Sequence, residues 1–311
     1  MSGGRPRGRR LFNSIYYTMK PTIPRSLQVI LRRLVVSVLV RKCRDIWPIY
    51  PEIAVAPKGW KGWPDNKKFA FVLTHDVDTA KGEDRCLELM QLDIRAGFRS
   101  AFYFVPGRVR RSARVLPELK KNGFEIGVHD LFHDGKLFKS RKIFLERAAI
   151  INRYLSKWGA VGFRAGSMHH DFDWIHDLNV LYDASSFDTD PFEPQPDGSA
   201  TIFPFRMESP ITGKRYIELP YTLPQDFLLF VIMREKNIDI WKKKLDWVAE
   251  NGGMALMITH PDYMNFERNR SAGDEYCVDF YVEFLEYARN KYGNLFWQAL
   301  PSDIARYIIS S

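Results

Sequence analysis

Thr74-His75-Asp76-Val77-Asp78 puts two carboxylates two residues apart at the end of an apolar run that begins at Phe69. In extended chain, side chains at i and i+2 point to the same face, so Asp76 and Asp78 would address one site together. Carboxylates so close repel each other unless a cation or a base holds them. An Asp-rich turn capping the next helix has the same composition, so this pair carries little alone. A second run, FEIGV, leads into His129-Asp130-Leu131-Phe132-His133. The i, i+4 spacing predicts both imidazoles on one face of a helical turn, which suits a shared metal. Two neutral imidazoles, one carboxylate and open positions make a catalytic rather than a structural metal site. A third run ends at Gly162-Phe163-Arg164-Ala165-Gly166, where an arginine can pin a carboxylate through two parallel hydrogen bonds. A fourth ends at Met257-Ile258-Thr259-His260-Pro261, in a single histidine. Each has an ordinary explanation on its own: a solvated arginine, a structural histidine, two surface imidazoles. Their joint order on successive apolar runs points to one site.

Those runs belong to a regular alternation. Strand-like segments begin at Phe69, Ser100, Phe124, Ala160, Leu178, Arg215, Met254 and Asn294. Helical periodicity fills Glu83–Gly97, Leu116–Lys121, Arg141–Lys157, Ile238–Asn251 and Val278–Tyr292, several of them stopped by glycine. Strand–helix alternation predicts a parallel sheet with helices outside. Seven or eight repeats within residues 67–311 close most compactly as a barrel, with chemistry at the C-terminal strand ends.

Residues 1–66 read differently. The chain has 46 Lys/Arg and 37 Asp/Glu for a net charge of +9, but Met1 to Arg44 holds eleven of the basic residues and no acid. The remainder is therefore near neutral (35 basic, 37 acidic), and the high overall charge gives no case for a nucleic-acid-binding domain. Within this leader Ser26–Val40 is apolar, interrupted by Arg32 and Arg33. It is shorter than the ~20 residues of a membrane span and lacks a clear signal-peptide cleavage site. Two readings stand: a helix docked on the main domain, or an interfacial helix whose residues 5–44 meet an anionic membrane surface. The expected location is cytoplasmic or peripheral to a membrane. Pro48, Pro51, Pro57 and Pro64, with Trp47, Trp60 and Trp63 among them, mark an irregular connection. Three scattered cysteines, Cys43, Cys86 and Cys277, form no CxxC pair and argue against a disulfide framework.

In this order the motifs resemble those of the polysaccharide deacetylases (carbohydrate esterase family 4), over roughly Phe69 to Ile309. Thr74–Asp78 resembles the first family motif, Thr-Phe-Asp-Asp-Gly, with the second Asp displaced by Val77. His129–His133 resembles the His-x-x-x-His motif, with Asp130 in place of the usual hydroxyl residue. Phe163–Gly166 matches the arginine motif, Tyr182–Ser186 loosely the fourth, and Leu256–His260 the fifth. The resemblance implies a distorted (β/α)7-8 barrel and one divalent metal ion, zinc the expected one, held by Asp78, His129 and His133. It also implies Asp76 as general base, Arg164 orienting Asp76, and His260 protonating the departing amine, with Asp183 orienting His260. The expected substrate is an N-acylated, chiefly N-acetylated, glycan, lipid-linked if the leader meets a membrane. Trp60, Trp63 and Trp174 are candidate sugar-stacking residues, though packing accounts equally for the first two; His169, His170 and Asp171 are candidates to line the cleft. Because the Asp-x-Asp spacing also occurs in relatives acting on other amides, hydrolysis of a non-sugar linear or cyclic amide is the alternative. A glycan-binding barrel without catalysis is a third.

Overall fold

A computed structural model describes residues 24–43, 45–109, 112–195, 197–267 and 273–311; the basic tail expected before them lies outside the described residues. The strands are β1 (Phe69–Val77), β2 (Ser100–Phe104), β3 (Glu125–His129), β4 (Gly162–Arg164), β5 (Tyr182–Asp183), β6 (Phe205–Glu208), β7 (Arg215–Glu218), β8 (Met254–Thr259), β9 (Met264–Asn265), β10 (Tyr276–Cys277) and β11 (Phe296–Gln298). The helices are α1 (Arg25–Cys43), α2 (Ala80–Ala96), α3 (Ser112–Lys121), α4 (Arg141–Trp158), α5 (Phe172–Ile175), α6 (Asp239–Glu250), α7 (Asp279–Tyr292) and α8 (Pro301–Ser310).

The sheet is the expected one. From β8 it runs through β1, β2, β3, β4, β5 and β7, all parallel, with β6 antiparallel at the edge and β11 beside the start of β1. Beyond β7 the chain reaches β8 again. Thr222 and Leu223 donate backbone N–H groups to Leu256 O, and Leu223 bridges to Met257. The sheet is thereby curled into a distorted barrel.

Alternation along the strands divides the core. Phe69, Phe71 and Leu73 face outward and pack with Phe102, Phe104 and Phe144 beneath the helices. Ala70 and Val72 face inward with Tyr103, Tyr182, Leu256 and Ile258. Every residue of β1 is buried, as a parallel strand covered on both faces requires. Thr74, Asp76 and Asp78 continue the inward set, so the polar end of β1 opens into the barrel. Register keeps the other ends level: His75 pairs with Thr259, Asp76 with Tyr103, and His129 with Arg164.

Helix ends follow local chemistry. Gly97 and Gly159 adopt the left-handed conformation at the C-termini of α2 and α4 and bond back to the last turn, as the sequence predicts. The sequence did not predict a π-helical turn at Phe227–Met233, nor α8, β6 or the small β9–β10 pair. Helix α1 packs on that π-helical turn, burying Val29 and Val36. The Trp-rich connection packs too: Trp60 meets Trp63 and Phe203, and Trp63 Nε1 donates to Gly252 O at 2.8 Å. All three cysteines are free.

Candidate active site

The polar strand ends converge on a cavity of about 600 Å³ lined by Asp76, Asp78, His129, His133, His260 and Asp262. Helix α1 contributes Gln28, Val29 and Arg32 to the same wall.

His129 ends β3, and its Nδ1 lies 3.0 Å from Arg164 O on the neighbouring strand. A carbonyl can only accept, so Nδ1 carries a proton and Nε2 is the ring atom turned toward the aspartates. That Nε2 stands 3.3 Å from Asp78 Oδ1, and His133 Nε2 stands 3.3 Å from the same oxygen. The two histidines do not sit on a helical turn, contrary to the i, i+4 reading. The chain after β3 is a loop with positive φ at Asp130 (55°) and His133 (50°). Asp130 N bonds to Arg164 O, and its Oδ1 accepts from Leu131 N at 2.6 Å, a local bond that helps aspartate occupy this region. The imidazole centroids nonetheless lie 4.9 Å apart. Gly166 makes this possible: a Cβ there would come within 2.9 Å of both Asp130 Oδ2 and the His133 ring.

Donor atoms of Asp78, His129 and His133 all lie within 4.8 Å of one another. Asp78 Oδ1 is buried without a well-formed hydrogen bond. An orphaned carboxylate oxygen facing two imidazole nitrogens is the donor set of a divalent cation, and these residues fit one. Burial would raise the Asp78 carboxyl, but His133 and His129 reverse this and hold it well below the usual carboxylate range.

Asp76 lies beside this group. Its Oδ1 accepts from Arg164 Nη1 at 2.7 Å, and Oδ2 is 3.8 Å from His129 Nε2. Arg164 is fully buried, fixed by Ala184 O and Thr74 Oγ1, with its guanidinium 4.3 Å from the Tyr103 ring centroid. Burial alone would raise Asp76; the charges of Arg164, His129 and His260 outweigh it and keep the carboxyl ionised.

His260 faces this pair from the end of β8. Its Nδ1 bonds to Asp226 Oδ1 at 2.7 Å, and its own N–H to Asp226 Oδ2 at 2.8 Å. Burial would lower the imidazole, but Asp226 foremost, then Asp78 and Asp76, push it up to about 9. The expectation that Asp183 orients His260 is therefore corrected. Asp183 accepts from Ser185 Oγ at 2.6 Å and lies close to Glu218, the two forming a buried carboxyl pair between β5 and β7. Burial raises Asp183, and burial with Asp183 raises Glu218 well above its ordinary value.

Two further carboxylates at the cavity have no place in the motif reading. Asp262 accepts from Asp78 N at 3.0 Å and from Thr79 Oγ1, and is raised to about 6 by burial and then by Asp78. His260-Pro261-Asp262 is itself an i, i+2 signal that sequence reasoning could have used. Glu193 also lines the cavity, held by Tyr221 OH at 2.7 Å and Gln225 Nε2 at 2.6 Å. The expected cleft residues do not gather here. Trp60, Trp63, Trp174, His169, His170 and Asp171 are absent from the cavity wall, whose aromatics among the described residues are Phe227 and Tyr263. Trp174 packs on Phe138 and Phe144, and Asp171 caps α5.

Among solved structures, the chain aligns with a protein from Pseudomonas aeruginosa PAO1 assigned as a polysaccharide deacetylase (TM-score 0.64, 16% identity, 84% of this chain and 99% of that one). The chain has the polysaccharide deacetylase fold. A Mycobacterium smegmatis protein of the same assignment aligns with TM-score 0.61 at 16% identity, over 82% of this chain and 95% of the other. An allantoinase, Puue, shares this deacetylase fold equally well (TM-score 0.64, 15% identity, 84% and 98% coverage). No known family profile matches the sequence, and no curated protein matches it at the sequence level.

Proposed function

We propose that this protein is a metal-dependent hydrolase that removes an N-acyl group, chiefly acetyl, from a glycan. The observation that carries the reading is the buried Asp78 oxygen, short of hydrogen bonds and faced by two imidazole nitrogens at 3.3 Å. Asp78, His129 and His133 would hold the cation, with zinc the expected ion for this donor set. A divalent cation there supplies Lewis acidity toward a carbonyl and toward water.

The chain's own residues supply the rest. Asp76 takes a proton from the attacking water at Oδ2, the oxygen Arg164 does not occupy. Arg164 fixes the carboxylate's orientation and keeps it charged. His260 donates a proton from Nε2 to the departing nitrogen, while Asp226 holds Nδ1 and sets the ring's orientation. The protonation states agree with these roles: at neutral pH the base is ionised and the acid, at about 9, is protonated. A lipid anchor on the glycan is part of the same reading, since the basic, apolar α1 supplies part of the cavity wall.

A non-sugar amide is the second reading. It is favoured by the Asp-x-Asp spacing and by the fold shared with an allantoinase. Elemental analysis of the wild type and of His129→Ala/His133→Ala, with acetate release from N-acetylated oligosaccharides, tests both. About one zinc per chain, lost in the variant, with metal-dependent acetate release, is the expected result. Metal without acetate, but with turnover of cyclic amides or ureides, would select the second reading. Absence of metal under every loading condition would sink both.

A further inference from the structure

Helix α1 is built inside out. Leu27, Ile30, Leu31, Leu34, Val35 and Val38 recur at three- and four-residue steps and are 42–61% exposed. Its opposite side carries Val29 and Val36, both buried, and the two arginines that interrupt the apolar run. Arg33 donates to Val231 O at 2.8 and 3.1 Å and to Gly273 O at 3.0 Å. The Arg32 guanidinium lies 5.1 Å from the Phe227 ring centroid. A helix that met only a barrel and water would turn these arginines outward and the six apolar side chains inward. A contiguous apolar face left open in this way marks a contact surface.

We propose that this outer face lies on an anionic bilayer surface and holds the active-site mouth against the membrane. The docking stands on α1 alone; only the identification of the docked site as a hydrolase rests on the function proposed above. Three observations select lipid as the occupant. The first is charge: Met1 to Arg44 holds eleven Lys/Arg and no acid, and Arg41 and Lys42 are exposed in the last turn of α1. Near an anionic leaflet each such residue strengthens binding about fivefold. A second copy seated on the same stripe would instead bring two basic stretches without an acid of their own together. The second is length and anchorage. No described helix is long and apolar enough to cross a membrane, and Arg33 ties α1 along the barrel, so the helix lies flat. The third is position: Gln28, Val29 and Arg32 of this helix line the catalytic cavity. The substrate class that follows is a membrane-anchored N-acyl glycan presented at the lipid surface, rather than a polymer taken from solution.

The test uses the full chain with vesicles of phosphatidylcholine alone and of phosphatidylcholine with one part in four phosphatidylglycerol. Co-sedimentation with the anionic vesicles, weakening as salt rises, is expected. Leu34→Glu/Val38→Glu should bind more than roughly tenfold more weakly. Its melting curve and its hydrolysis of a soluble N-acetylated oligosaccharide should not change, because both side chains are exposed and neither lines the cavity. Arg41→Gln should weaken binding about fivefold. Lack of binding to either vesicle overturns the proposal, as does a double variant that binds as tightly as wild type. A dimer that the double variant dissolves, without vesicle binding, would assign the face to a second copy. Vesicle binding by a protein that hydrolyses nothing would leave the docking intact and remove the hydrolase reading.

Discussion

The two faces of β1 are equally withdrawn from water and each carries polar groups toward its end, yet those groups finish in opposite conditions. On the outer face His75 has both ring nitrogens engaged, Nδ1 with Thr259 Oγ1 at 2.7 Å and Nε2 with Asp93 Oδ2 at 3.1 Å. Asp93 also accepts from Ser100 Oγ and Tyr281 OH, each at 2.7 Å. That cluster is closed. On the inner face Asp78 keeps a buried oxygen short of partners, and the group opens on a cavity. Burial of a histidine beside a carboxylate therefore does not mark a site. Unsatisfied bonding capacity that opens on space does, because a closed network spends its strength on fixing the fold.

The comparison breaks most sharply at Asp78. Loss of groups that only support metal ligands costs about 10–100-fold, so Asp78→Ala should lower kcat by more than roughly 100-fold and abolish metal retention. Some stability should go with it, because the two imidazoles that hold this carboxyl low lose their partner. Elemental analysis with steady-state kinetics checks this; an Asp78→Ala protein that kept metal and activity would end the ligand assignment. The outer face should behave in reverse. Asp93→Ala strands His75, Ser100 and Tyr281 in a dry interior and should cost about 3–5 kcal/mol in urea unfolding, while the surviving folded fraction keeps its metal.

A subtler probe is Asp226→Asn. The metal should stay and kcat fall roughly ten- to a hundredfold. Removing the carboxylate that chiefly raises His260 lowers the imidazole from about 9, so the alkaline limb of the kcat profile should move to lower pH. An unmoved limb would separate His260 from the protonation step.

The smallest effect concerns Asp190, which burial and then Glu193 raise to about 8. Its folded value lies above its unfolded one. The stability it contributes is whole below the ordinary carboxylate range and is lost as pH rises through 8. Asp190→Asn should flatten the fall of Tm between about pH 4 and 8, at about 2–4 °C for each kcal/mol recovered. A slope identical to wild type in a calorimetric pH series would place that titration elsewhere.

The strand ends were legible because an apolar run that stops at a charged residue states its direction and parity locally. Asp76, Asp78, His129, Arg164 and His260 are all of this kind, and the cavity brings the first three and His260 together with Arg164 behind Asp76. Asp226 was not legible. It stands 34 residues before His260, and their bond depends on how the chain crosses from β7 to β8. The His129–His133 loop was misread because i, i+4 spacing is shared by a helical turn and by a loop with two left-handed residues; only the close approach over Gly166 distinguishes them. Arg32 and Arg33 looked like interruptions of an apolar helix and are its contacts with the barrel.

The pairing of β1 bears on how the molecule is made. β1 lies between β2 and β8, and its longest register, Ala70–His75, is with Met254–Thr259. During synthesis the ribosome delivers β1 more than 180 residues before that partner, and β11 follows later still. Until then a strand apolar on both faces presents an open edge, the condition under which nascent chains pair wrongly or aggregate. The half of the site borne by β1 to β4 waits for His260 to emerge, so a chain interrupted before β8 is a candidate for chaperone capture and proteolysis rather than a partial enzyme.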